Sequence, residues 1–459
     1  MKLRTSFFDG ATFKKDITRF MPLWVLYTVA MLLIMLSTVS DTFATHPVRV
    51  LNSSLSGLAF ANLLYAALTA QLLFGDLFQS RLCNALHAMP VTRTARFGSH
   101  IAAGFLFSFL PNLLVSLLMM PQLNGFWYIS LLWLSVMTLQ YLFFFAAGVL
   151  SVMCTGSRFA MVVVYGMINF LGVVLCWFAD TVFIPMMHGV VLNAEPFLFI
   201  SPFASFVRSG DYIRFDFSFS SYDYGSPAFY SRTYINEVFR GFGEDWLYLF
   251  LSAAAGIALL AAALVLYRRR KLESAGDFIV VKWLSPIFLV LYTLCAGAFL
   301  SIFGQLFTYG GALAFLIAGL VIGFFTGKML LERTIRVFRG KNFGQLAILA
   351  VAMVLSVFVV STDLLGIVSY VPDAEDVDYV VYDGWNAYEV KLTDAEDIET
   401  VRQIHRLALK DYCDNSCENG HSYFYVEYYM KDGRVVMRQY YLCDFTARAL
   451  LETLPKSRK

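Results

Sequence analysis

Nine long apolar stretches dominate this sequence and restrict the folds that are open to it. A hydrocarbon core of about 30 Å is crossed by roughly 20 apolar residues in a helix, and a chain in lipid must satisfy its own backbone hydrogen bonds. The composition agrees, since 58% of the residues are hydrophobic, which a soluble domain rarely sustains. The sequence therefore predicts a polytopic α-helical membrane protein with about nine transmembrane helices. The predicted spans are 20–40, 55–75, 99–121, 126–153, 159–180, 246–267, 283–303, 307–327 and 343–369.

Lysine and arginine are unevenly distributed between the connecting segments, and this predicts the orientation. One set of segments holds 19 of these residues: the N-terminus, 76–98, 154–158, 268–282 and 328–342. The other set holds five: 41–54, 122–125, 181–245 and 304–306. Because basic residues accumulate on the cytoplasmic side, we expect a multi-pass cell-membrane protein with a cytoplasmic N-terminus. No small-x-small cleavage site follows the first span, which is therefore predicted to be retained.

The segments outside the spans predict two extracytoplasmic structures. In 181–245, the apolar but proline-broken part 183–203 is predicted to dip into the bilayer as a re-entrant pair, with a plain surface loop as the alternative. The aromatic–polar alternation after it predicts extended structure at the membrane surface. Residues 370–459 predict a small α+β domain, with strands at "VDYVVYD" and "YEVKL", a capping box at 393–396 that opens a helix, a hairpin turning at Asp432-Gly433, and a closing helix at "FTARALLETL".

Sequence motifs for catalysis or metal binding are absent. The chain has no GxxxxGK[ST], HExxH, GxSxG or CxxC motif, so the sequence predicts no catalytic residue, no metal, no cofactor and no enzymatic activity of its own. A net charge of +2 gives no bulk electrostatic argument for nucleic acid. Cys413 and Cys417 could form a disulfide if their segment bends. No continuous polar stripe is apparent across the spans, which argues against an ion channel.

The stretch from Phe74 to Gly98 is an amphipathic interruption between the second and third spans. Its apolar positions include Leu86 and Met89, and Pro90 is expected to end a helix there by disfavouring the helical conformation of the residue before it. Arg81, Arg93 and Arg96 are expected to pair with acidic residues of another protein. The alternative is an interfacial helix held only by lipid.

Three motifs in this order resemble type-2 ATP-binding-cassette transporter permeases of Firmicutes-like bacteria. "LHAMPVTRTARFGS" is similar to their coupling-helix loop, in which Leu86, Met89, Pro90 and Arg93 match. "FFDGATFKKDITRFMPLWVLY" (7–27) is similar to the amphipathic elbow before their first span. "YRRRKLESAGDFIVVKWLSPIF" (267–288) resembles the stretch after the sixth span in the antibiotic-responsive branch, where a C-terminal extracytoplasmic domain also occurs.

The resemblance implies a permease subunit whose ATP is hydrolysed by a separate cytoplasmic subunit. The coupling contact would be made by Arg81, Leu86, Met89, Pro90, Arg93 and Arg96. A second permease subunit, identical or not, and membrane lipid are the other implied partners, and the substrate would be amphiphilic or peptide-like. The implied organisation is an elbow at 1–19, a six-span core at 20–267, three further spans at 268–369 and the extracytoplasmic domain at 370–459.

Two other classes of function remain open at this point. A membrane-embedded sensor or adaptor would use the C-terminal domain to bind an extracellular ligand. A lipid-modifying membrane enzyme would need clustered acids and histidines on one outer face, and the sequence does not show them.

Overall fold

The computed structural model describes most of the chain, with gaps between its described ranges. These ranges are 7–38, 47–87, 90–123, 127–208, 213–217, 237–242, 245–307, 311–384, 387–410, 422–442 and 445–455. Two compact units are formed: one from 1–173, 198–292 and 326–335, the other from 174–197, 293–325 and 336–459. This division differs from the domain boundaries expected from the sequence, because the second unit combines spans with the C-terminal domain.

A helix lies on each of the nine predicted stretches within the described residues. The helices before the first sheet are α1 (Gly10–Arg19), α2 (Met21–Thr38), α3 (Pro47–Leu73), α4 (Ser80–His87), α5 (Arg93–Met119), α6 (Trp127–Cys154), α7 (Arg158–Val182), α8 (Glu195–Ile200) and α9 (Pro202–Arg208). After the paired strands β1 (Ile213–Phe217) and β2 (Glu237–Phe242) come α10 (Asp245–Arg269), α11 (Leu284–Phe307), α12 (Gly311–Glu332) and α13 (Gly340–Ser361).

Seven helices of the described residues are long and apolar enough to cross a membrane. They are α5, α6, α7, α10, α11, α12 and α13. α1 and α2 are long and apolar enough to cross a membrane only if they are taken together as one span, which would be an eighth. They are bent by 57° at their junction. In α3 the apolar part is the segment Gly57–Leu73, which is shorter than the seven helices above. The described part of the chain is thus mostly helical, with seven helices that could span a membrane.

The last predicted span, 343–369, ends earlier than the hydropathy indicates. α13 stops at Ser361, and Asp363 and Gly366 then adopt positive φ angles of 47° and 63°. The Asp363 carboxylate accepts hydrogen bonds from the backbone nitrogens of Val368 and Ser369, at 2.9 Å each. These bonds hold a turn that an apolar composition alone does not reveal, because the turn depends on one side chain.

The C-terminal part is a four-stranded antiparallel sheet covered by helices, which confirms the α+β prediction. It contains β3 (Val377–Gly384), β4 (Ala387–Leu392), α14 (Ala395–Ala408), β5 (Ser422–Met430), β6 (Val435–Leu442) and α15 (Phe445–Thr453), with strand order β4-β3-β5-β6. Its core joins alternate residues of the strands, such as Val380 and Val426, with Val401 and Ile404 of α14. The hairpin turns where predicted, with Gly433 at a φ of 84°.

The predicted capping box at 393–396 is wrong. α14 begins one residue later than this motif requires, with Asp394 as N-cap and no capping hydrogen bond from its side chain. A box needs Thr393 at the N-cap, so that Glu396 becomes the third helical residue. Ile398 and Val401 of this helix are buried in the core of the domain.

The predicted re-entrant pair is also wrong for part of 183–203. The backbone nitrogen of Gln439 in β6 donates to the Gly189 carbonyl at 2.9 Å, and Val190 forms an antiparallel bridge with Arg438. This segment therefore extends the sheet of the C-terminal domain at its β6 edge. The extended structure predicted further along is confirmed for 213–217 as strand β1, whereas residues 218–236 lie outside the described part.

Candidate functional site

The amphipathic helix α1 is anchored on the first turns of α5. The Asp9 carboxylate caps α1 by accepting from the Thr12 backbone nitrogen at 3.0 Å, and the hydrogen bonds from Thr12 lower the pKa of Asp9. The Asp9 backbone nitrogen donates to Ser99 Oγ at 2.8 Å, and Ser99 Oγ donates back to the Asp9 carbonyl at 2.9 Å. Deeper in, His100 Nδ1 lies 2.6 Å from a carboxylate oxygen of Asp16, with both side chains buried. The predicted elbow is thus tied to the third predicted span.

The amphipathic stretch 74–98 contains a short helix, as predicted. A 3-10 turn at Gly75–Phe78 leads into α4, which ends at His87, and Thr92 then caps α5 by accepting from the Ala95 backbone nitrogen. Leu77 and Cys83 are buried against the spans, each with 2% of its surface exposed. The stretch therefore packs on the helix bundle through one side and is more than a lipid-surface helix.

The six predicted coupling residues have different environments. Arg81 and Pro90 are exposed, Arg93 is half-buried and Arg96 is buried. Leu86 lies on α4, but its side chain is outside the described part of the structure, and so is the whole of Met89. Their role in coupling stays a prediction.

Arg93 binds backbone carbonyls of its own chain, whereas it was expected to pair with acidic residues of another protein. Its Nη1 donates to the carbonyls of Tyr267, Arg268 and Arg270, at 3.3, 3.1 and 2.9 Å. These carbonyls belong to the end of α10, where the last carbonyls of a helix have no partner within it and the helix dipole favours a cation. Arg93 therefore caps α10 from the start of α5.

Arg270, just after the end of α10, also donates hydrogen bonds to backbone carbonyls of other segments. Its Nη1 donates to the carbonyls of Val152 and Met153 at the end of α6, at 2.8 and 3.2 Å. Its Nη2 donates to the Leu77 carbonyl in the turn before α4, at 3.3 Å. Only 8% of Arg270 is exposed. This guanidinium thus joins the stretch 74–98 to the ends of two predicted spans.

The segment 268–282 also pairs with the short connection between α6 and α7. The Gly156 backbone nitrogen donates to the Asp277 carbonyl, and the Gly276 nitrogen donates to the Gly156 carbonyl, both at 2.7 Å. Gly276 has a φ of 94°, which L side chains rarely adopt. A Cβ on Gly156 would lie 2.3 Å from the Ser274 carbonyl oxygen. Gly156 is therefore required by the close approach of the two segments, and Gly276 by its backbone conformation.

These contacts bring together the segments that the basic-residue count had grouped. We call the assembly of α1, 74–98, 154–158 and 268–282 the basic end. Arg333 joins it through an ion pair of 2.7 Å with Asp277, half-exposed on both sides, which contributes little stability. The basic end is one connected surface built on the ends of α5, α6 and α10.

A buried polar row on α5 was missed in the sequence. Ser108, Asn112 and Ser116 recur every four residues, so they share one face of the helix. Asn112 Oδ1 lies 3.2 Å from the hydroxyl of Tyr27, and that hydroxyl also lies 3.3 Å from Asn62 Oδ1. Polar groups that bond across helices stabilise packing in a membrane. The spacing of four was the signal that could have revealed this row.

The C-terminal domain contains a second cluster of buried polar groups. His405 Nδ1 lies 3.2 Å from the Tyr428 hydroxyl, and its ring contacts Tyr440. Burial, followed by the charges of Arg438 and Arg406, lowers the pKa of His405 to about 3. At neutral pH the ring is therefore uncharged.

Metal binding has no candidate among the residues that the structure describes, where no three His, Cys, Asp or Glu side chains come together. Cys413 and Cys417 lie outside those residues.

No protein-family model matches the chain, and neither a curated protein nor a solved structure shows a significant match to it.

Proposed function

We propose that this chain is the membrane-spanning permease subunit of an ATP-binding-cassette transporter. It would move an amphiphilic or peptide-like substrate with ATP hydrolysed by a separate cytoplasmic subunit, next to a second permease subunit. The observation that carries the proposal is the bond from Arg270 to the Leu77 carbonyl in the turn before α4, together with its bonds to the end of α6. Arg93 in turn bonds the start of α5 to the end of α10, so a displacement that another protein imposes at this turn can be passed to the helices.

The physical basis is the geometry of the two arginine contacts. A guanidinium donates from a planar, rigid group, and hydrogen bonds from a charged donor are roughly twice as strong as neutral ones. Arg270 bonds the turn before α4 to the end of α6, and Arg93 bonds the start of α5 to the end of α10. A force on the turn before α4 therefore reaches α6 and the end of α10 through Arg270, and α5 through Arg93.

The proposed topology has nine spans, with the basic end in the cytoplasm. In addition to the seven helices that qualify singly, α2 and α3 would each cross the bilayer, and α1 would lie along its surface because of the 57° bend before α2. The basic asymmetry supports this orientation. The strand pairing of Gly189 and Val190 with β6 supports one common side for 181–245 and 370–459, which we propose is extracytoplasmic.

Co-purification tests the proposal most directly. The full chain, solubilised in detergent from its native host, should retain an ATP-binding subunit, and the paired variant Leu86→Asp/Met89→Asp should lose it while remaining inserted. A matched control is Leu364→Asp/Leu365→Asp, because these two leucines are 72% and 67% exposed and lie on the proposed opposite side. Retention of the ATPase by the first variant would remove the coupling role of α4. Absence of any ATP-binding protein from the parent complex would favour a sensor or a membrane enzyme.

A further inference from the structure

A pocket of about 580 Å³ opens at the basic end between α1, α3, α5 and the start of α7. Its volume falls in the range of small-ligand sites, about 300–1,000 Å³. The floor includes the buried pair of Asp16 and His100 together with Arg96. The contacts described for the basic end leave this pocket open.

Basic side chains surround the opening of the pocket. Lys15 and Arg19 are exposed one turn apart on α1, and Arg158 is exposed at the first residue of α7. Within the described part of the chain, none of the three forms an ion pair. Unpaired basic groups that converge on one opening are suited to a phosphate.

A carboxylate in the same pocket has no hydrogen-bond or ion-pair partner among the described residues, although the charge of Arg270 interacts with it. It belongs to Asp76, which is half-buried in the turn before α4. The other two acids of the pocket are engaged, since Asp9 accepts from Thr12 and Asp16 contacts His100. A pocket whose basic groups form no ion pair and whose carboxylate accepts no hydrogen bond is complementary to a ligand that carries a phosphate and a cation together.

The position of the pocket indicates what kind of molecule carries these groups. α1 bends by 57° into α2 beside it, so the pocket lies where the apolar helices end. Phe20, Leu72 and Leu82 line it next to the charged groups, and 44% of Leu82 is exposed. A charged site with an apolar wall at this level matches a lipid headgroup followed by its acyl chains.

We propose that this pocket binds a zwitterionic phospholipid with a primary ammonium group. The phosphate is held by Lys15, Arg19 and Arg158, and the ammonium donates to the Asp76 carboxylate. This goes beyond the proposed transport function, because lipid binding at the pocket requires no ATPase. The bound lipid would brace α1 against the turn that precedes α4.

Native mass spectrometry of the delipidated full chain in detergent tests the proposal. Short-chain phosphatidylethanolamine, phosphatidylglycerol and phosphatidylcholine are supplied at equal concentration, and the ethanolamine lipid is expected to bind most tightly. Asp76→Asn should weaken its binding by about tenfold or more, because the acceptor of the ammonium loses its charge, without weakening the glycerol lipid. The triple variant Lys15→Gln/Arg19→Gln/Arg158→Gln should weaken all three.

Matched controls are Glu332→Gln and Lys341→Gln, which remove exposed charges outside the pocket and should leave lipid binding unchanged. A series on the parent chain avoids any folding defect of a variant. Successive N-methylation of the ethanolamine headgroup removes its hydrogen-bond donors, so the affinity should fall at each step. Equal affinity across this series would overturn the proposal. A second result would also overturn the proposal: the parent chain binds no lipid, and a photo-crosslinker at Leu82 captures the ATPase subunit. That result would identify the pocket as a protein-docking site.

Discussion

Replacing Arg270 by methionine should loosen the basic end, because this guanidinium serves three backbone acceptors at once. Methionine keeps much of the length of the side chain but removes the donor shared by the carbonyls of Val152, Met153 and Leu77, of which Val152 also accepts from the Thr155 backbone nitrogen at 3.4 Å. A bond to a charged donor is worth roughly 1.5–3 kcal/mol, and a buried acceptor left unsatisfied costs about 1–3 kcal/mol. Because two of the three bonds are long, at 3.2 and 3.3 Å, we expect a loss of about 3–5 kcal/mol.

Two buried cysteines make this loss measurable in place. Cys83 and Cys154 are 2% and 7% exposed, and both lie close to Arg270. Their reaction with a thiol reagent requires local opening. A loss of about 3 kcal/mol raises the open population, and with it the labelling rate, by about a hundredfold.

The assay is labelling of the full chain in detergent, with the modified cysteines located by peptide mass spectrometry. The neighbouring variant Arg269→Met is the control, because Arg269 is exposed and should leave the rates unchanged. Arg270→Lys should lie between the parent and methionine, since lysine keeps the charge but loses the fork of donors. If Arg270→Met and Arg269→Met label at the same rate, Arg270 does not hold α6 to the turn before α4.

Three further predictions concern other parts of the chain. Gly189→Ala should release the added strand from β6, because its φ is 72° and a Cβ would lie 1.9 Å from a tyrosine ring; limited proteolysis should then cut 181–195, whereas Gly344→Ala, where the Cβ meets nothing within 4 Å, should not. His405→Phe should reduce the acid sensitivity of the C-terminal domain. The pKa of His405 is about 3 in the folded domain and about 6.5 in the unfolded chain. The contribution of the neutral ring to the free energy of unfolding is therefore complete above pH 6.5 and is lost toward pH 3, by about 2 kcal/mol between pH 6.5 and 5. Thermal melts of both proteins across that range should converge in acid. Finally, an impermeant thiol reagent applied to intact cells should label a cysteine at Glu452 and not one at Glu273, both exposed positions, and the reverse pattern would invert the proposed topology.

Local patterns were sufficient wherever one segment decides its own structure. Long apolar runs become helices because lipid offers the backbone no other partner, and each of the nine predicted runs lies on a helix. Asp432-Gly433 turns the last hairpin because glycine adopts the positive φ that this turn needs. The uneven distribution of lysine and arginine had already grouped the segments that meet at the basic end.

Long-range contacts could not be derived in this way, because their partners are distant in sequence and carry no distinguishing composition. Arg93 was expected to bind an acidic protein, yet its acceptors are backbone carbonyls up to 177 residues away, and every residue has such a carbonyl. Gly189 was assigned to a membrane-dipping segment because of its apolar neighbours. Only the tertiary structure shows that the β6 edge takes its backbone hydrogen bond, since an edge strand pairs with whichever chain the fold places beside it.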